Sequence, residues 1–377
     1  MRKSGILRIA MLAAVCVASL LAGCADLARK APVLPVSTTG TRDGAAYRID
    51  IPANWNHELI VYYHGYRHEP VVHDKSKRIW PALDALLTKG YALIQSGYSR
   101  GGWAIEQGYA ETEALRRDFV ASYGKPARSW VMGESMGGAL TALTIETRPE
   151  TYSGALALCG AIEPSNRILD KAFALRAAFD YYFPDLLGPL VPVPDPLPDY
   201  KVMRQRIADA LAAKPAARDA LLRLYGVASE KGFPDIVAFV TQILGELQRR
   251  THGNPFGNAD LIYTGSGDDF ALNDGVKRYR PDAQAAAYVA RWYAPTGKLL
   301  RPMLALHDTG DPLVPAGDAF EYALTAERAG HGENFVQQYL NREGHCVFEP
   351  DEIARAFGEL VDWVDAGKRP VSGKLPQ

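Results

Sequence analysis

The sequence lacks the motifs that hold common cofactors, and it has almost no excess of charge. Its 377 residues include 42 Lys and Arg against 43 Asp and Glu, for a formal net charge of −1. It contains no basic stripe, RNP-like aromatic pattern or zinc-finger spacing, so we expect no nucleic-acid partner. A His-Glu-x-x-His run, a P-loop and a dinucleotide fingerprint are also absent, so no metal and no cofactor are implied. The hydrophobic fraction of 47% is enough for a large globular core.

The sequence also has no apolar run long enough to span a bilayer stably near its start. The apolar stretch at residues 9–21 is too short for that. It follows basic residues at positions 2, 3 and 8 and ends in Leu21-Ala22-Gly23-Cys24. This arrangement resembles the signal peptide of bacterial lipoproteins, in which the lipobox cysteine receives the lipid. We predict a signal peptide over 1–23 and lipid attachment at Cys24, with an ordinary secretory signal or a buried helix with an incidental cysteine as the alternatives. The resemblance implies a membrane-anchored protein of the bacterial cell envelope, at the outer membrane or periplasmic face in a Gram-negative host.

Strand-like and helix-like stretches alternate in two parts of the remaining chain. Strands are predicted at 47–51, 59–63, 91–95, 130–132, 155–158, 303–306 and 335–339. Helices are predicted near 76–89, 106–123, 138–143, 316–329 and 350–366. Strands that alternate with helices of ten or more residues indicate an α/β fold, with a mainly parallel sheet covered by helices on both faces.

The domain boundaries follow from where this alternation stops. Residues 24–44 contain Pro, Ser, Thr and Gly and are predicted to be a tether. The α/β core is assigned to 45–162 and 286–370. Between them, residues 163–285 are predicted to form an inserted, largely helical cap, because a proline-rich segment at 184–198 precedes helix-like stretches near 200–213, 216–228 and 233–250, with a loop-like 251–281.

The most informative motif is Gly-Glu-Ser-Met-Gly at residues 133–137, between a predicted strand and a predicted helix. A strand–turn–helix context is what the nucleophile elbow requires, with Ser135 at the tight turn. The glycines leave room for that turn, since a side chain at either position would strike the neighbouring elements. Ser135 is therefore the predicted nucleophile.

A serine nucleophile needs a base to take its proton and a carboxylate to orient that base. Asp311 follows the late strand at 303–306, and His345 follows the last strand, so we predict them as acid and base. Asp308 is the alternative acid, although a place at the strand tip suits it better for bracing the turn. His331 precedes the last strand and is not favoured as the base.

The oxyanion hole needs two backbone N–H groups that point to one oxygen atom. One is expected from Met136, the residue after the nucleophile. The other is expected from the loop after the early strand, where Gly65 allows a sharp turn, with the Tyr66 N–H first and the Arg67 N–H second. The Tyr66 hydroxyl could donate instead, or its ring could form a wall of the pocket.

These segments together resemble the α/β-hydrolase superfamily in order and spacing. The carriers are His64-Gly65-Tyr66, Gly-Glu-Ser-Met-Gly, Asp311 before Pro312, and Gly344-His345. The resemblance implies the α/β-hydrolase fold and a Ser-His-Asp hydrolase. The tail His345-Cys346 is similar to secreted tannase and feruloyl-esterase relatives, which place the partner cysteine before the serine, where this chain has Glu134.

Three further residues near the predicted rim of the sheet are candidates for substrate binding. Arg100 could bind a substrate carboxylate and Trp103 could line an acyl or aryl pocket; a glycine turn with a surface arginine and a packed tryptophan is the alternative. Glu134, beside the nucleophile, is the third candidate.

Two cysteines remain after the signal peptide and the lipidated position are set aside. Cys159 ends a predicted strand and Cys346 follows His345. In an oxidising compartment two such residues indicate a disulfide, and buried free thiols are the alternative.

The sequence therefore predicts a serine hydrolase that cleaves small carboxylic esters through an acyl-enzyme. A serine peptidase on the same fold, similar to prolyl oligopeptidases, is the first alternative. A binding lipoprotein without activity is the second.

Overall fold

The computed structural model describes residues 33–77, 79–227 and 230–375. The predicted signal peptide and Cys24 therefore lie outside the described residues. Among the described residues, no helix combines the length and the apolar character that crossing a bilayer demands.

One nine-stranded sheet organises the chain, with the strand order β1-β2-β4-β3-β5-β6-β7-β8-β9. The strands are β1 (Val36–Arg42), β2 (Ala45–Ile51), β3 (Glu58–Tyr63), β4 (Ala92–Ser96), β5 (Arg128–Glu134), β6 (Gly154–Leu158), β7 (Met303–Gly310), β8 (Phe335–Glu343) and β9 (Gly373–Lys374). β1 pairs antiparallel with β2, and β2 pairs antiparallel with β4. All pairs from β4 through β3 to β9 are parallel. Every residue of β3 and β6 is buried, as expected for strands covered on both faces.

Five helices cover the sheet. They are α1 (Pro81–Thr88), α2 (Ile105–Tyr123), α3 (Met136–Thr147), α10 (Ala316–Arg328) and α11 (Pro350–Ala366). On one face, α1 and α11 pack with Trp130, Phe357 and Leu360 in a continuous apolar cluster. The alternation read from the sequence therefore predicted β2 to β8 and these five helices, and the α/β class is confirmed.

Residues 36–42, predicted as part of the tether, instead form an edge strand. β1 and β2 make a hairpin in which Arg42 pairs with Ala45. The turn residues are Asp43 and Gly44, with φ of 49° and 88°. Asp-Gly is a strong signal for such a two-residue turn, and the threonines of β1 favour a strand. The composition of Ser, Thr and Gly was therefore misleading.

The segment between β6 and β7 is helical. It contains α4 (Ser165–Tyr182), α5 (Tyr200–Ala213), α6 (Pro215–Tyr225), α7 (Phe233–Thr251), α8 (Asp269–Gly275) and α9 (Ala283–Arg291). The sequence predicted neither α4 nor α9, and α8 lies in a stretch predicted as loop. α9 also crosses the predicted boundary between residues 285 and 286. α4 buries residues around most of its circumference, including Arg176, so it lacks the one-sided apolar stripe that marks a surface helix.

Candidate functional site

Ser135 lies at the sharp turn between β5 and α3, with φ of 55°. Its own N–H donates to the Leu158 carbonyl at 2.9 Å. A Cβ at Gly133 would collide with the Gly137 carbonyl, and a Cβ at Gly137 would collide with the Tyr63 carbonyl of β3. A positive φ is unfavourable for a serine, so the surrounding hydrogen bonds hold a strained conformation here.

His345 connects Ser135 to Asp311. Its Nε2 lies 2.9 Å from Ser135 Oγ, and its Nδ1 lies 2.7 Å from Asp311 Oδ2. The three residues come from the ends of β5, β7 and β8, which are parallel and therefore end at one edge of the sheet. This geometry suits proton transfer from the hydroxyl to the imidazole, with the carboxylate fixing the tautomer.

Asp311 is held as an anion by several donors. Its Oδ1 accepts the N–H groups of Leu313 and Val314, both at 2.9 Å. Burial opposes ionisation, but hydrogen bonds from His307 and His345 outweigh it, so the pKa of Asp311 lies below its usual value. His307 was not singled out in the sequence. The sequence feature that could have identified His307 was its position at the end of a predicted strand, four residues before Asp311.

Asp308, the alternative acid, has a different role. It lies within β7, which runs to Gly310 and not to Leu306 as predicted. Its Oδ2 accepts the Val347 N–H at 3.1 Å, and burial raises its pKa. Asp308 therefore supports the loop that carries His345.

The predicted oxyanion residues belong to two segments that meet at Ser135. Met136 begins α3, where the first N–H groups lack intrahelical partners. Gly65 passes so close that a Cβ there would lie 3.2 Å from the Ser135 Cβ. The ring of Tyr66 packs edge-on against Phe239 of α7, at 5.0 Å between centroids. Burial raises the pKa of its hydroxyl, and the ring forms a wall between this loop and the cap.

The three substrate-binding candidates are in different surroundings. Arg100 is exposed. Trp103 is 8% exposed, and its indole N–H has no hydrogen-bond partner among the described residues. Glu134 is half-buried and lies 3.4 Å from the exposed Arg67.

Helix α7 of the cap contacts the loop that carries Trp103. Glu246 accepts the Trp103 backbone N–H at 3.1 Å and pairs with Arg250. Arg250 in turn donates to the Gly101 carbonyl at 2.8 Å. No sequence pattern identified these cap residues, because their partners are about 140 positions away in the chain.

Cys159 and Cys346 form a disulfide, with 5.3 Å between their Cα atoms. Cys159 directly follows β6, so the bond ties the loop after β8 to the sheet. With His345 these cysteines are the potential metal-binding group found within the described residues. Because the two sulfur atoms are bonded to each other, they are not available as thiolate ligands.

His64 directly follows β3, and its buried ring stacks on Tyr98 with 3.9 Å between the ring centroids. Burial lowers its pKa to about 4, against an unfolded value of about 6.5. The unfolded chain therefore binds more protons between these values, so stability should fall by up to about 3 kcal/mol as the pH drops across this window.

A His64→Phe variant keeps an aromatic ring at this position and cannot titrate. Urea unfolding at pH 7 and pH 4.5 should show a smaller loss of stability for the variant than for the wild type. Equal losses in both proteins would contradict a buried neutral imidazole.

The sheet order, the crossover helices and the turn at Ser135 together decide the fold class. The chain has the α/β-hydrolase fold.

Comparisons with known proteins find only distant similarities. No protein-family model matches the chain. An o-phthalyl amidase from Xanthobacter agilis is 20% identical and aligns over 87% of each chain. Among solved structures, an esterase from Pyrococcus furiosus is 14% identical, covering 87% of this chain and 90% of its own, with a TM-score of 0.45. An acylaminoacyl peptidase from Pyrococcus horikoshii is 10% identical, covering 88% and 41%, with a TM-score of 0.49. At these identities and TM-scores, the structural likeness carries no argument about activity or substrate.

Proposed function

We propose that this α/β-hydrolase-fold protein is a serine hydrolase that cleaves carboxylic esters through an acyl-enzyme. The observation that carries the proposal is the continuous chain of hydrogen bonds from Ser135 through His345 to Asp311, at 2.9 and 2.7 Å. Such a chain, with the serine on a strained turn at a helix N-terminus, is the arrangement that activates a hydroxyl for attack on a carbonyl.

The proposed reaction has two halves. Ser135 Oγ attacks the substrate carbonyl while His345 Nε2 takes the proton, and the resulting oxyanion is bound by the N–H groups of Met136 and Tyr66. His345 then gives its proton to the leaving group. In the second half, water attacks the acyl-enzyme with His345 again as the base. The Asp311 carboxylate stabilises the imidazolium in both halves.

Amide hydrolysis is the second candidate, because the curated relative is an o-phthalyl amidase. The same residues would perform it, with His345 protonating an amine that leaves less readily than an alcohol. The two candidates therefore differ in the leaving group and not in the nucleophile.

A panel of p-nitrophenyl esters and matched p-nitroanilides distinguishes the candidates. We expect kcat/KM to be higher for the esters than for anilides with the same acyl group. Faster anilide cleavage would replace the ester proposal with an amidase or peptidase. The absence of turnover with every ester and anilide would favour the binding lipoprotein.

We also propose that the mature protein is held in the bacterial cell envelope by a lipid on Cys24. The support is the lipobox-like sequence Leu21-Ala22-Gly23-Cys24 behind a basic and apolar segment. Cells that express the full chain should incorporate labelled palmitate into it, and the Cys24→Ser variant should not. Equal labelling of both would contradict the anchor.

A further inference from the structure

The helical segment between β6 and β7 lines most of a cavity of about 1040 Å³ that is partly open to solvent. It lies between α4 and α9, with residues 257–264 on another side, and it reaches Leu313 in the loop after β7. Neither Ser135 nor His345 lines it. The cavity is therefore separate from the proposed nucleophile, although Leu313 also donates its N–H to Asp311. A volume of this size holds a drug-sized molecule.

The walls of this cavity are mostly apolar. α4 contributes Ile168, Leu175 and Ala178, and α9 contributes Ala286 and Ala290. Because the α9 side chains are small, a flat or extended body can lie between the two helices. Burial of such a body in these walls would be favourable at about 25 cal/mol per Å² of apolar surface.

Most of the charged side chains that line the cavity have a counter-charge. Lys171 lies 2.8 Å from Glu163, and Arg167 lies 3.5 Å from Glu321. Arg280 and Asp260 lie 3.6 Å apart.

Asp170, by contrast, forms no ion pair among the residues that the structure describes. Its Oδ1 accepts one long hydrogen bond from the Gly257 N–H at 3.4 Å. Burial raises the pKa of this carboxyl. A half-buried carboxylate with one weak donor gains most from a ligand that brings a positive charge and several N–H groups.

We propose that this cavity is a second binding site, for an amphipathic primary amine. The ammonium group pairs with Asp170, and an aryl or alkyl body lies along the small side chains of α9. Opposite charges already neutralise the basic groups at the rim, so they offer less to an anionic ligand than Asp170 offers to a cation.

Isothermal titration with three probes of one shape tests the proposal: 4-phenylbutylamine, 4-phenyl-1-butanol and 4-phenylbutyrate. For the wild type we expect the amine to bind about tenfold more tightly than the alcohol, as a charge-assisted hydrogen bond provides. Asp170→Asn, which keeps the side-chain shape, should reduce the amine to the affinity of the alcohol. Asp84→Asn, at an exposed carboxylate of α1 that does not line the cavity, is the matched control and should leave the amine affinity unchanged.

Two further variants separate this site from the catalytic proposal. Ala290→Leu and Ala286→Trp narrow the cavity to different degrees and should weaken binding of all three probes. Ser135→Ala should bind the amine as the wild type does, whether or not the protein hydrolyses esters. Tightest binding of the butyrate, an unchanged affinity in Asp170→Asn, or loss of binding in Ser135→Ala would each overturn the proposal.

Discussion

Replacement of Ser135 by alanine should lower kcat for a p-nitrophenyl ester by about four to six orders of magnitude. The reason is that Oγ forms the bond to the acyl group in the proposed mechanism, and among the described residues no other hydroxyl lies within hydrogen-bond distance of His345 Nε2. KM should change little, because the substitution removes one oxygen atom and leaves the walls of the pocket in place. Initial-rate kinetics with an ester whose leaving group is detected at low concentration can measure a fall in kcat of this size.

Ser165→Ala is a matched control for this substitution. Ser165 is fully buried at the start of α4, and its hydroxyl has no hydrogen-bond partner among the described residues. Alanine there should leave kcat and thermal stability close to wild type. A fluorophosphonate should label the wild type and Ser165→Ala but not Ser135→Ala. Retained turnover in purified Ser135→Ala would refute the assignment of the nucleophile.

The order of Ser135, Asp311 and His345 along the chain was enough to predict that they would meet. Each follows a strand with a clear apolar run, and parallel strands bring their carboxyl ends to one edge. Their distances are compatible with the predicted chemistry, and their catalytic roles remain a proposal. The choice of Asp311 over Asp308 depended on where β7 ends. That strand is longer than its apolar run, yet Asp311 still lies beyond it.

Contacts made by the cap could not be predicted in the same way. Phe239 and Glu246 belong to a helix that the sequence did predict, but its docking against Tyr66 and Trp103 depends on tertiary packing. The apolar pattern of α7 specifies which face is buried and not which loop it covers. α4 was missed for a related reason, because a helix buried on most sides has no period to detect.

The edge strand β1 shows a different failure. Its residues are short and polar, which suits a tether as well as a strand at the edge of a sheet. The turn at Asp43 and Gly44 was the local signal that distinguished the two, and it fixes the register of the hairpin. Local turn chemistry was more informative here than average composition.

The Cys159–Cys346 disulfide should have the second-largest effect, on both stability and turnover. The bonded residues are 187 positions apart. In the chain-entropy model a loop of this length stabilises the folded state by about 5 kcal/mol, an upper figure because denatured chains retain structure. Urea unfolding of the Cys159→Ser, Cys346→Ser double variant should show a loss that approaches this value.

Turnover should fall as well, because the disulfide holds Cys346, the residue directly after His345 in the chain. Without the disulfide, the loop would still be held by backbone donors. The Gly344 N–H donates to the Gly310 carbonyl and the Val347 N–H donates to the Asp308 carboxylate, each at 3.1 Å. Two such bonds contribute about 1 kcal/mol each, which is less than the covalent link provided. A displacement of His345 by about 1 Å costs about 100-fold in rate, so we expect kcat to fall about 10- to 100-fold while KM stays within about threefold.

The double variant should therefore differ from Ser135→Ala in kind. It keeps the nucleophile, so a fluorophosphonate should still label Ser135, but more slowly than in the wild type. Reduction of the wild-type disulfide should reproduce the slower labelling, and reoxidation should restore it, since Cys159 and Cys346 are the cysteines that follow Cys24. A double variant with wild-type kcat and lower stability would limit the disulfide to holding the fold together. Wild-type values of both would mean that the loop after β8 positions His345 through its own hydrogen bonds.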